Sequence, residues 1–266
     1  MNREILNDYK DKDDKILLAQ ILDKVEMVEK RNKIEYTDFL DLSQIELVQK
    51  FIEKNRITNY IIYGGFEQAE RKMFVFKPEK FNLDVVEKNL ANIVQIVTIE
   101  LPEDLKGKYT HRDYLGAVVK LGVERKKVGD IIVDNNGADI IVEKNIAEFL
   151  VQNLSGLTRF SKAKIFTQDI ENLREVEIKK EEIQIIVSSL RLDNVISELA
   201  GASRNKALVI INAERVFVNF ECETKKTKQI KENDMITIRG KGRFLIKKIM
   251  GQTRSGRTII KVEKFV

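Results

Sequence analysis

The C-terminal third of the chain is organised around Ser189–Asn219, which reads SLRLDNVISELAGASRNKALVIINAERVFVN. The apolar spacing predicts a helix over Leu190–Leu199, which ends before Gly201. Ser203 is a favourable N-cap for a second helix that runs through Val209–Ile211. Two short helices in succession predict a small separate domain in this part of the chain.

Strand-like segments flank these two helices and are predicted to form short strands. They lie at Ile185–Val187, Val216–Val218, Met235–Arg239, Phe244–Ile249 and Thr258–Val262. The helices and the strands together predict an α+β domain over residues 182–266.

Charge is distributed unevenly along a chain of 266 residues whose net charge is +5. From Glu182 to Val266 there are 17 Lys and Arg against 9 Asp and Glu. Within Lys225–Lys261 there are 12 basic residues against Glu232 and Asp234, with glycines between the arginines. A basic third attached to a nearly neutral body is typical of a polyanion-binding protein. The alternative is a charged face that only contacts solvent, or a basic strand edge that prevents unwanted sheet pairing.

The same segment resembles the S4 RNA-binding domain, named after the ribosomal protein. The matching residues are Arg191-Leu192-Asp193, Val195, Ser203-Arg204, Ala207, Ile210, Val216-x-Val218-Asn219 and Asp234-x-Ile236. The resemblance implies that two short helices, supported by a small sheet, present basic residues to structured RNA. This sequence departs from many S4 domains at Phe220, where a glycine commonly follows Val-Asn.

The candidate RNA-binding residues follow from this resemblance and from the basic tail. They are Arg191, Ser203, Arg204, Lys206, Arg215, Lys225, Lys226, Arg239, Lys241, Arg243, Arg254 and Arg257. We interpret Asp193 as a structural residue, either a charge at a helix N-terminus or a partner for a nearby arginine. The Arg-Leu-Asp triplet also occurs around the catalytic aspartate of pseudouridine synthases, but here the threonine and glycine that follow in that motif are absent.

The first 83 residues are predicted to form an α+β domain. Residues 4–30 have helical apolar spacing, and a second helix is predicted to begin at Ser43 as its N-cap. Asn59–Tyr63 and Met73–Phe76 are predicted strands. Phe74 and Phe76 share one face of their strand and are interpreted as core residues rather than as base-stacking platforms.

Residues 84–170 are predicted to form a second domain with the order β-α-β-β-α-β. Its segments are Val94–Leu101, His111–Leu121, Asp130–Val133, Asp139–Val142, Glu143–Asn153 and Ala163–Asp169. Asn135-Asn136-Gly137 is a strong hairpin signal between the two middle strands. The order is that of the ferredoxin-like plait, which RNA-recognition motifs share with unrelated enzymes. The charged stretch Glu171–Glu182 is the predicted linker to the C-terminal domain.

Two motifs in the body extend the resemblance to nearly the whole chain. YGGFEQAERKMFVFKP (Tyr63–Pro78) and HRDYLGAVVKLGVERKKVGDIIV (His111–Val133), placed before an S4 domain, resemble the YlmH family of bacterial ribosome-associated proteins. The resemblance implies a cytoplasmic protein, encoded near cell-division genes in Gram-positive bacteria, that binds large-subunit ribosomal RNA and tRNA. It further implies a role in ribosome-associated quality control of stalled peptidyl-tRNA on the large subunit.

A second set of residues in these motifs is assigned to RNA or partner contact. The set comprises Arg71, Lys72, His111, Arg112, Arg125, Lys126 and Lys127. His111-Arg112-Asp113 has the composition of a catalytic cluster, but no nucleophile is identifiable and a capping role for Asp113 fits a helix start. The sequence therefore favours a binding factor with no catalytic residues. The alternatives are an RNA-modifying enzyme that uses the S4 domain as an anchor, and a cell-division or assembly factor.

Composition excludes several other classes. Cys222 and His111 are the single cysteine and the single histidine, so neither a disulfide framework nor a zinc site is expected. No Gly-rich cofactor fingerprint and no apolar run long enough to span a membrane are present. We therefore expect a cytoplasmic monomer without metal or cofactor, whose partners are structured RNA and the large ribosomal subunit.

Overall fold

The computed structural model describes residues 3–175, 180–219 and 221–265. The chain divides into two compact units, Met1–Val176 and Glu177–Val266. The expected α+β class is confirmed, because both units combine helices with antiparallel sheets. Each unit is described by itself below.

The first half of unit 1 is a three-stranded sheet with helices. In chain order it contains a 3₁₀ helix at Arg3–Asp8, α1 (Lys12–Arg31), β1 (Glu35–Tyr36), α2 (Leu42–Lys54), β2 (Tyr60–Tyr63), β3 (Met73–Phe76) and α3 (Leu83–Leu90). The strand order is β1-β3-β2 and both pairings are antiparallel. Phe74 and Phe76 are fully buried against α1 and α2, which confirms their interpretation as core residues.

Two details of the first helices correct the prediction. The single helix predicted over residues 4–30 is interrupted, because Asp11 caps α1 by accepting the backbone N–H groups of Asp13 and Asp14. The N-cap of α2 is Asp41 and not Ser43, whose hydroxyl instead donates to the Asp41 carboxylate. In α2 the aspartate lies two residues before the predicted serine cap and caps a helix at least as well.

The second half of unit 1 has the predicted β-α-β-β-α-β order. Its elements are β4 (Val94–Glu100), α4 (His111–Lys120), β5 (Val128–Asp134), β6 (Gly137–Glu143), α5 (Lys144–Leu154) and β7 (Lys164–Gln168). The sheet order is β5-β6-β4-β7 and every pairing is antiparallel, as in a plait. α4 and α5 cover one face, against a core that contains Val97, Ile99, Ile140 and Val142.

The predicted hairpin between β5 and β6 is confirmed. The Asp134 carboxylate accepts the backbone N–H groups of Asn136 at 2.8 Å and of Gly137 at 2.9 Å. Gly137 has φ of 149°, and a Cβ atom there would lie 1.8 Å from the carbonyl oxygen of Ile99. Glycine is therefore required at this position by the close approach of β4.

Unit 2 is a six-stranded antiparallel sheet with two helices. Its elements are β8 (Lys180–Val187), α6 (Leu192–Leu199), α7 (Arg204–Asn212), β9 (Val216–Val218), β10 (Glu221–Cys222), β11 (Met235–Ile238), β12 (Gly242–Gln252) and β13 (Thr258–Phe265). The strand order is β10-β9-β11-β12-β13-β8. Both helices contribute to one buried core, in which Val195 and Ile211 pack with sheet residues such as Ile236, Phe244 and Val262.

The predicted linker is shorter than the sequence suggested. Ile170–Asn172 forms a 3₁₀ turn, and β8 already begins at Lys180 and pairs along its length with β13. Glu181 and Glu182 are therefore strand residues. Their side chains form ion pairs with Lys264 and Lys261, respectively. Residues 176–179 of the predicted linker lie outside the described part of the chain.

Candidate RNA-binding surface

The start of α6 holds a buried carboxylate that joins two of the predicted RNA-binding arginines. Asp193 is 1% exposed and accepts Nε and Nη2 of Arg191 at 3.1 and 3.0 Å. Arg204, the first residue of α7, donates to the same carboxylate from Nε at 3.1 Å and from Nη2 at 2.7 Å. The predicted role of Asp193 as an arginine partner agrees with this geometry.

The charge of Asp193 is stabilised by these two arginines. Burial by itself raises the pKa of the carboxyl group, but the hydrogen bonds from Arg191 and Arg204 outweigh it and lower the pKa of Asp193 below its usual value. The carboxylate is therefore ionised at neutral pH. Each guanidinium group has five N–H donors, so donors remain on both arginines for an anion at the surface.

The N-terminus of α7 lies beside this cluster. Ser203 is its N-cap, and the Ser203 hydroxyl accepts the backbone N–H of Lys206 at 3.4 Å. The Lys206 side chain is exposed and makes no ion pair with any residue that the structure describes. A helix N-terminus with an adjacent free cation favours phosphate groups.

A lysine-rich loop is fixed against the start of α6. The carbonyl oxygens of Lys226 and Lys228 accept the backbone N–H groups of Asp193 at 3.2 Å and of Leu192 at 2.8 Å. Lys225 and Lys226 are exposed, whereas Lys228 pairs with Glu223 at 3.0 Å. These backbone contacts hold two of the predicted RNA-binding lysines near the Asp193 cluster.

The tip of the β12–β13 hairpin lies at the same end of the sheet as the start of α6. Thr258, just after the tip, pairs with Val187, the last residue of β8, and α6 begins five residues later at Leu192. Arg254 and Arg257 are exposed at this tip and, within the described ranges, have no ion-pair partner. Arg254 and Arg257 therefore belong to the same end of unit 2 as the Asp193 cluster. We name the surface at this end the helix-start surface. It comprises Arg191, Ser203, Arg204, Lys206, Lys225, Lys226, Arg254 and Arg257.

The remaining predicted residues of unit 2 lie at the opposite end of the sheet. Arg215 donates to the carbonyl oxygen of Arg239 at 2.8 Å, and the Arg239 guanidinium lies 4.7 Å from the centre of the Phe217 ring. Lys241 is exposed in the turn between β11 and β12, and Arg243 lies near the start of β12. The structure thus separates the twelve predicted residues into two groups.

In unit 1, two of the arginines assigned to RNA or partner contact have structural roles. Arg71 donates to the carbonyl oxygens of Val128 at 2.9 Å and of Phe39 at 2.6 Å. Arg125 donates to the carbonyl oxygen of Val128 and, at 2.9 Å, to that of Gly129, where β5 departs from regular pairing. Burial, and then the charge of Arg71, lower the pKa of Arg125 to about 10, so it remains charged at pH 7.

Asp130 makes a second contact between the same two segments of the chain. Its carboxylate accepts the backbone N–H groups of Glu70 at 2.6 Å and of Arg71 at 3.2 Å. The two sequence motifs of the body therefore meet at one place, where side chains of each satisfy the backbone of the other. These contacts give Arg71 and Asp130 a structural role between the two motifs.

The other residues of that second set are mostly engaged on the surface of unit 1. The Lys127 ammonium lies 2.6 Å from Asp38 and 3.0 Å from the buried Glu143, and Lys126 pairs with Glu124 at 3.0 Å. The Lys72 ammonium donates to the carbonyl oxygen of Glu67 at 3.1 Å.

His111, Arg112 and Asp113 form the first turn of α4. Asp113 accepts the backbone N–H of Thr110 at 2.9 Å and its hydroxyl at 2.8 Å, which is the capping role considered for it. Desolvation, followed by the charge of Arg125, lowers the pKa of His111. Arg112 is exposed.

The face of the plait on which RNA-recognition motifs stack bases is covered in this protein. Ile141 of β6 packs with Phe39, Met73 and Val75 from the first half of unit 1. On the same face, Asp139 is 1% exposed and accepts Arg174 Nη2 at 3.0 Å. A nucleic acid bound by the plait would have to use another surface.

Sequence reasoning missed several residues near the two groups. Lys231 is exposed and follows Ile230, whose backbone N–H donates to the carbonyl oxygen of Leu190. Phe265 lies in the row of the sheet that contains Arg243. Composition drew attention to the basic residues, but only the strand register shows which of them share a surface.

Across the described ranges, no group of three or more His, Cys, Asp or Glu side chains is placed to hold a metal ion. No helix within those ranges is long and apolar enough to cross a membrane.

Three family models match this chain in order. The model described as "YlmH, N-terminal" matches residues 13–80, and "Putative RNA-binding domain in YlmH" matches residues 92–173. The model described as "S4 domain" matches residues 190–236. These ranges correspond to the two halves of unit 1 and, in unit 2, to α6, α7, β9, β10 and the start of β11.

Two relatives are similar over much of their length. "Ribosome-associated protein quality control protein P2" of Bacillus subtilis (strain 168) is 27% identical over 261 residues, which cover 95% of this chain and 96% of that protein. Among solved structures, "Cell division protein ylmH from Streptococcus pneumoniae" has 17% sequence identity and a TM-score of 0.47, and the match covers 62% of this chain and 97% of that one.

Proposed function

We propose, because this chain belongs to the YlmH family, that it is a ribosome-associated factor that binds structured RNA through its S4 domain. The observation that carries this proposal is the helix-start surface. There a buried carboxylate orients Arg191 and Arg204 next to the start of α7 and the loop of Lys225 and Lys226.

The chemistry of this surface suits the backbone of a folded RNA. Guanidinium and ammonium groups bind phosphates, and the first N–H groups of α7 add a favourable dipole. A-form RNA presents phosphates and 2′-hydroxyl groups rather than readable major-groove edges, so a fixed array of cations reads its shape. Asp193 supplies that fixed geometry, because it holds two flexible side chains in one place.

The bound RNA, in this proposal, is large-subunit ribosomal RNA together with tRNA. The process is quality control of stalled peptidyl-tRNA on the large subunit. The name of the Bacillus relative supports the ribosome association and the quality-control role, and the similarity to it extends over nearly the full length of both chains. The S4 domain supports the RNA-binding part of the proposal independently of that name. The protein acts here by binding and has no catalytic step.

The test measures how binding to a tRNA transcript depends on salt. In the double variant Lys206→Ala/Lys226→Ala we expect weaker binding and a slope of log K against log salt that is shallower by about 2, because two phosphate contacts are lost. The control Lys33→Ala/Lys88→Ala removes the same charge from exposed positions in unit 1. An unchanged slope in a folded Lys206→Ala/Lys226→Ala variant would exclude the helix-start surface as the RNA site.

A further inference from the structure

We propose that unit 2 has a second nucleic-acid site, which binds a short single-stranded segment of RNA. The site lies on the face of the sheet opposite α6 and α7. We name it the aromatic strip and define it by six residues, which are Lys180, Phe217, Thr237, Arg239, Arg243 and Phe265. This site extends the proposed function, but its binding does not depend on the helix-start surface.

Five of these residues form one continuous row across the sheet. Phe217 pairs with Thr237, and Thr237 pairs with Arg243. Arg243 pairs in turn with Phe265, which pairs with Lys180. Residues opposite each other in neighbouring strands point to the same face. The row therefore crosses five strands on one face.

This row faces away from the helices. The neighbours of Phe217 and Thr237 along their strands, such as Val216 and Ile238, are buried in the core beneath α6 and α7. Side chains alternate between faces along a strand, so the row itself is on the other side. Phe217 and Phe265 are half-buried, whereas Lys180 and Arg239 are exposed.

Each aromatic ring in the strip is already associated with a cation. The Arg239 guanidinium lies 4.7 Å from the centre of the Phe217 ring. The Phe265 ring has Arg243 at 5.0 Å and the Lys180 ammonium at 5.2 Å. These distances are in the range of cation–π contacts. The strip thus offers two ring-and-arginine pairs, with the hydroxyl of Thr237 in the row between them.

Charge on this face favours a polyanion. Arg215 and Lys241 flank the strip at its Phe217 end and are both exposed. Some acidic side chains lie close to the strip. Glu263 pairs with Lys247 at 3.3 Å and with Lys180 of the strip at 3.4 Å. Glu214 and Glu223 lie near Cys222, which pairs with Phe217. Glu182 pairs with Lys261 at 2.6 Å. Glu263, Glu182 and Glu223 are each paired with a lysine, and the exposed Arg215, Arg239 and Lys241 leave a positive excess at the Phe217 end of the strip.

This combination of groups selects single-stranded RNA rather than a duplex. Aromatic rings and guanidinium planes stack with bases that are free to turn outward, and neighbouring cations bind the backbone. In a duplex the bases are stacked on each other and cannot reach a flat sheet face. The helix-start surface has the opposite character, because no aromatic ring is among its residues.

The two sites are well separated within unit 2. Phe265 and Thr258 are at opposite ends of β13, and Thr258 lies at the end where α6 begins. Seven strand residues correspond to about 23 Å, which is too far for one side chain to serve both sites. A folded RNA element and a single strand can therefore bind at the same time.

The first experiment compares two RNA probes by fluorescence anisotropy. One is an oligouridylate of about 12 nucleotides and the other a blunt RNA duplex of about 16 base pairs. For Phe217→Leu/Phe265→Leu, we expect the affinity for oligouridylate to fall at least tenfold because two base stacks are lost. Affinity for the duplex should stay within twofold, and Arg239→Gln, at an exposed position, should reproduce part of the loss without touching the core.

The variant Lys206→Ala/Lys226→Ala is the matched control and should show the reverse pattern. Unchanged oligouridylate binding in both strip variants would overturn the proposal, and so would an equal loss for both probes. Weak duplex and tRNA binding by the wild-type protein would contradict the proposed function and leave the strip standing. If the wild-type protein binds an oligoglutamate peptide but not oligouridylate, the strip is a protein-docking surface and the proposal is wrong.

The single cysteine provides a second, direct measurement. Cys222 is exposed and pairs with Phe217, so it continues the same row at the edge of the sheet. Desolvation, and then Glu214, raise the pKa of this thiol, so labelling with a maleimide benzophenone needs mildly alkaline buffer. We expect ultraviolet crosslinking to oligouridylate but not to the duplex. The absence of any crosslink to oligouridylate would count against the strip.

Discussion

Arginines in the two units of this protein are held in different ways, and the difference separates structure from binding. In unit 1, Arg71 and Arg125 donate to backbone carbonyl groups where the two sequence motifs meet. In unit 2, Arg191 and Arg204 share the carboxylate of Asp193 at the start of two helices, beside exposed lysines. The first arrangement uses the cation internally, whereas the second leaves N–H donors at the surface, which the proposed function assigns to RNA.

The comparison is tested first by removing an arginine of unit 1. Arg71→Ala leaves the carbonyl groups of Phe39 and Val128 without this donor, and we expect a loss of about 3 kcal/mol in the unfolding free energy of unit 1. Urea denaturation measures this loss of unfolding free energy. The neighbouring Lys72→Ala, which removes one surface contact, should cost less than about 0.5 kcal/mol. Equal small effects in both variants would refute the structural role of Arg71.

A smaller effect is expected when the shared carboxylate of unit 2 is neutralised. Asp193→Asn weakens four charge-assisted hydrogen bonds but leaves two guanidinium groups that can turn toward water. We therefore expect unit 2 to lose about 2 kcal/mol of stability. Binding to a tRNA transcript should also weaken, because Arg191 and Arg204 are no longer fixed. Full RNA affinity in this variant would show that the orientation of the two arginines is unimportant.

The same carboxylate predicts a pH dependence. The pKa of Asp193 in the folded protein is lowered from the value of 3.8. Its charge therefore stabilises the fold above about pH 4, and this contribution is lost as the pH falls through the folded pKa. Unfolding curves of the wild type and of Asp193→Asn should differ at pH 7 and converge toward pH 2. A stability difference that does not change with pH would contradict the ion-pair account.

The smallest effects are expected for two exposed lysines, one in each unit. Lys226→Ala should reduce tRNA affinity about threefold to tenfold and make the salt slope shallower by about 1, as expected for one phosphate contact. Lys126→Ala removes a lysine that is paired with Glu124 on unit 1 and should change neither quantity. Filter binding over a range of salt concentrations measures both. Equal losses would mean that unit 1 also contacts the RNA.

The structure also shows that one obvious substitution is a poor probe. Arg204→Glu would place a second carboxylate beside the buried Asp193. A loss of RNA binding in this variant could then come from local unfolding as well as from a lost RNA contact. The lysines of the helix-start surface avoid this problem, because their side chains are exposed.

The order of elements could be predicted where local signals are strong. The turn at Asn136 and Gly137 and the cap at Ser203 were both identified from sequence, because each depends on neighbouring residues alone. Two-residue strands such as Glu35–Tyr36 have too short a pattern to be predicted. The N-cap of α2 was misplaced by two residues, because aspartate and serine are equally good caps.

The roles of individual cations could not be predicted in the same way. Arg71 and Arg204 both have a lysine within two residues. Arg71 donates to the carbonyl oxygen of Phe39, 32 residues away, whereas Arg204 donates to the carboxylate of Asp193, 11 residues away. The aromatic strip was missed for a similar reason. Phe217 and Phe265 come together with arginines only through strand pairing, which their local sequence does not specify.

The most direct measurement is cryo-electron microscopy of ribosomal particles purified with the tagged protein from translating cells. The account predicts a free large subunit carrying tRNA, with the helix-start surface against RNA and with Arg71 and Arg125 away from it. Recovery of small-subunit precursors, or of a large subunit contacted only through unit 1, would contradict the account.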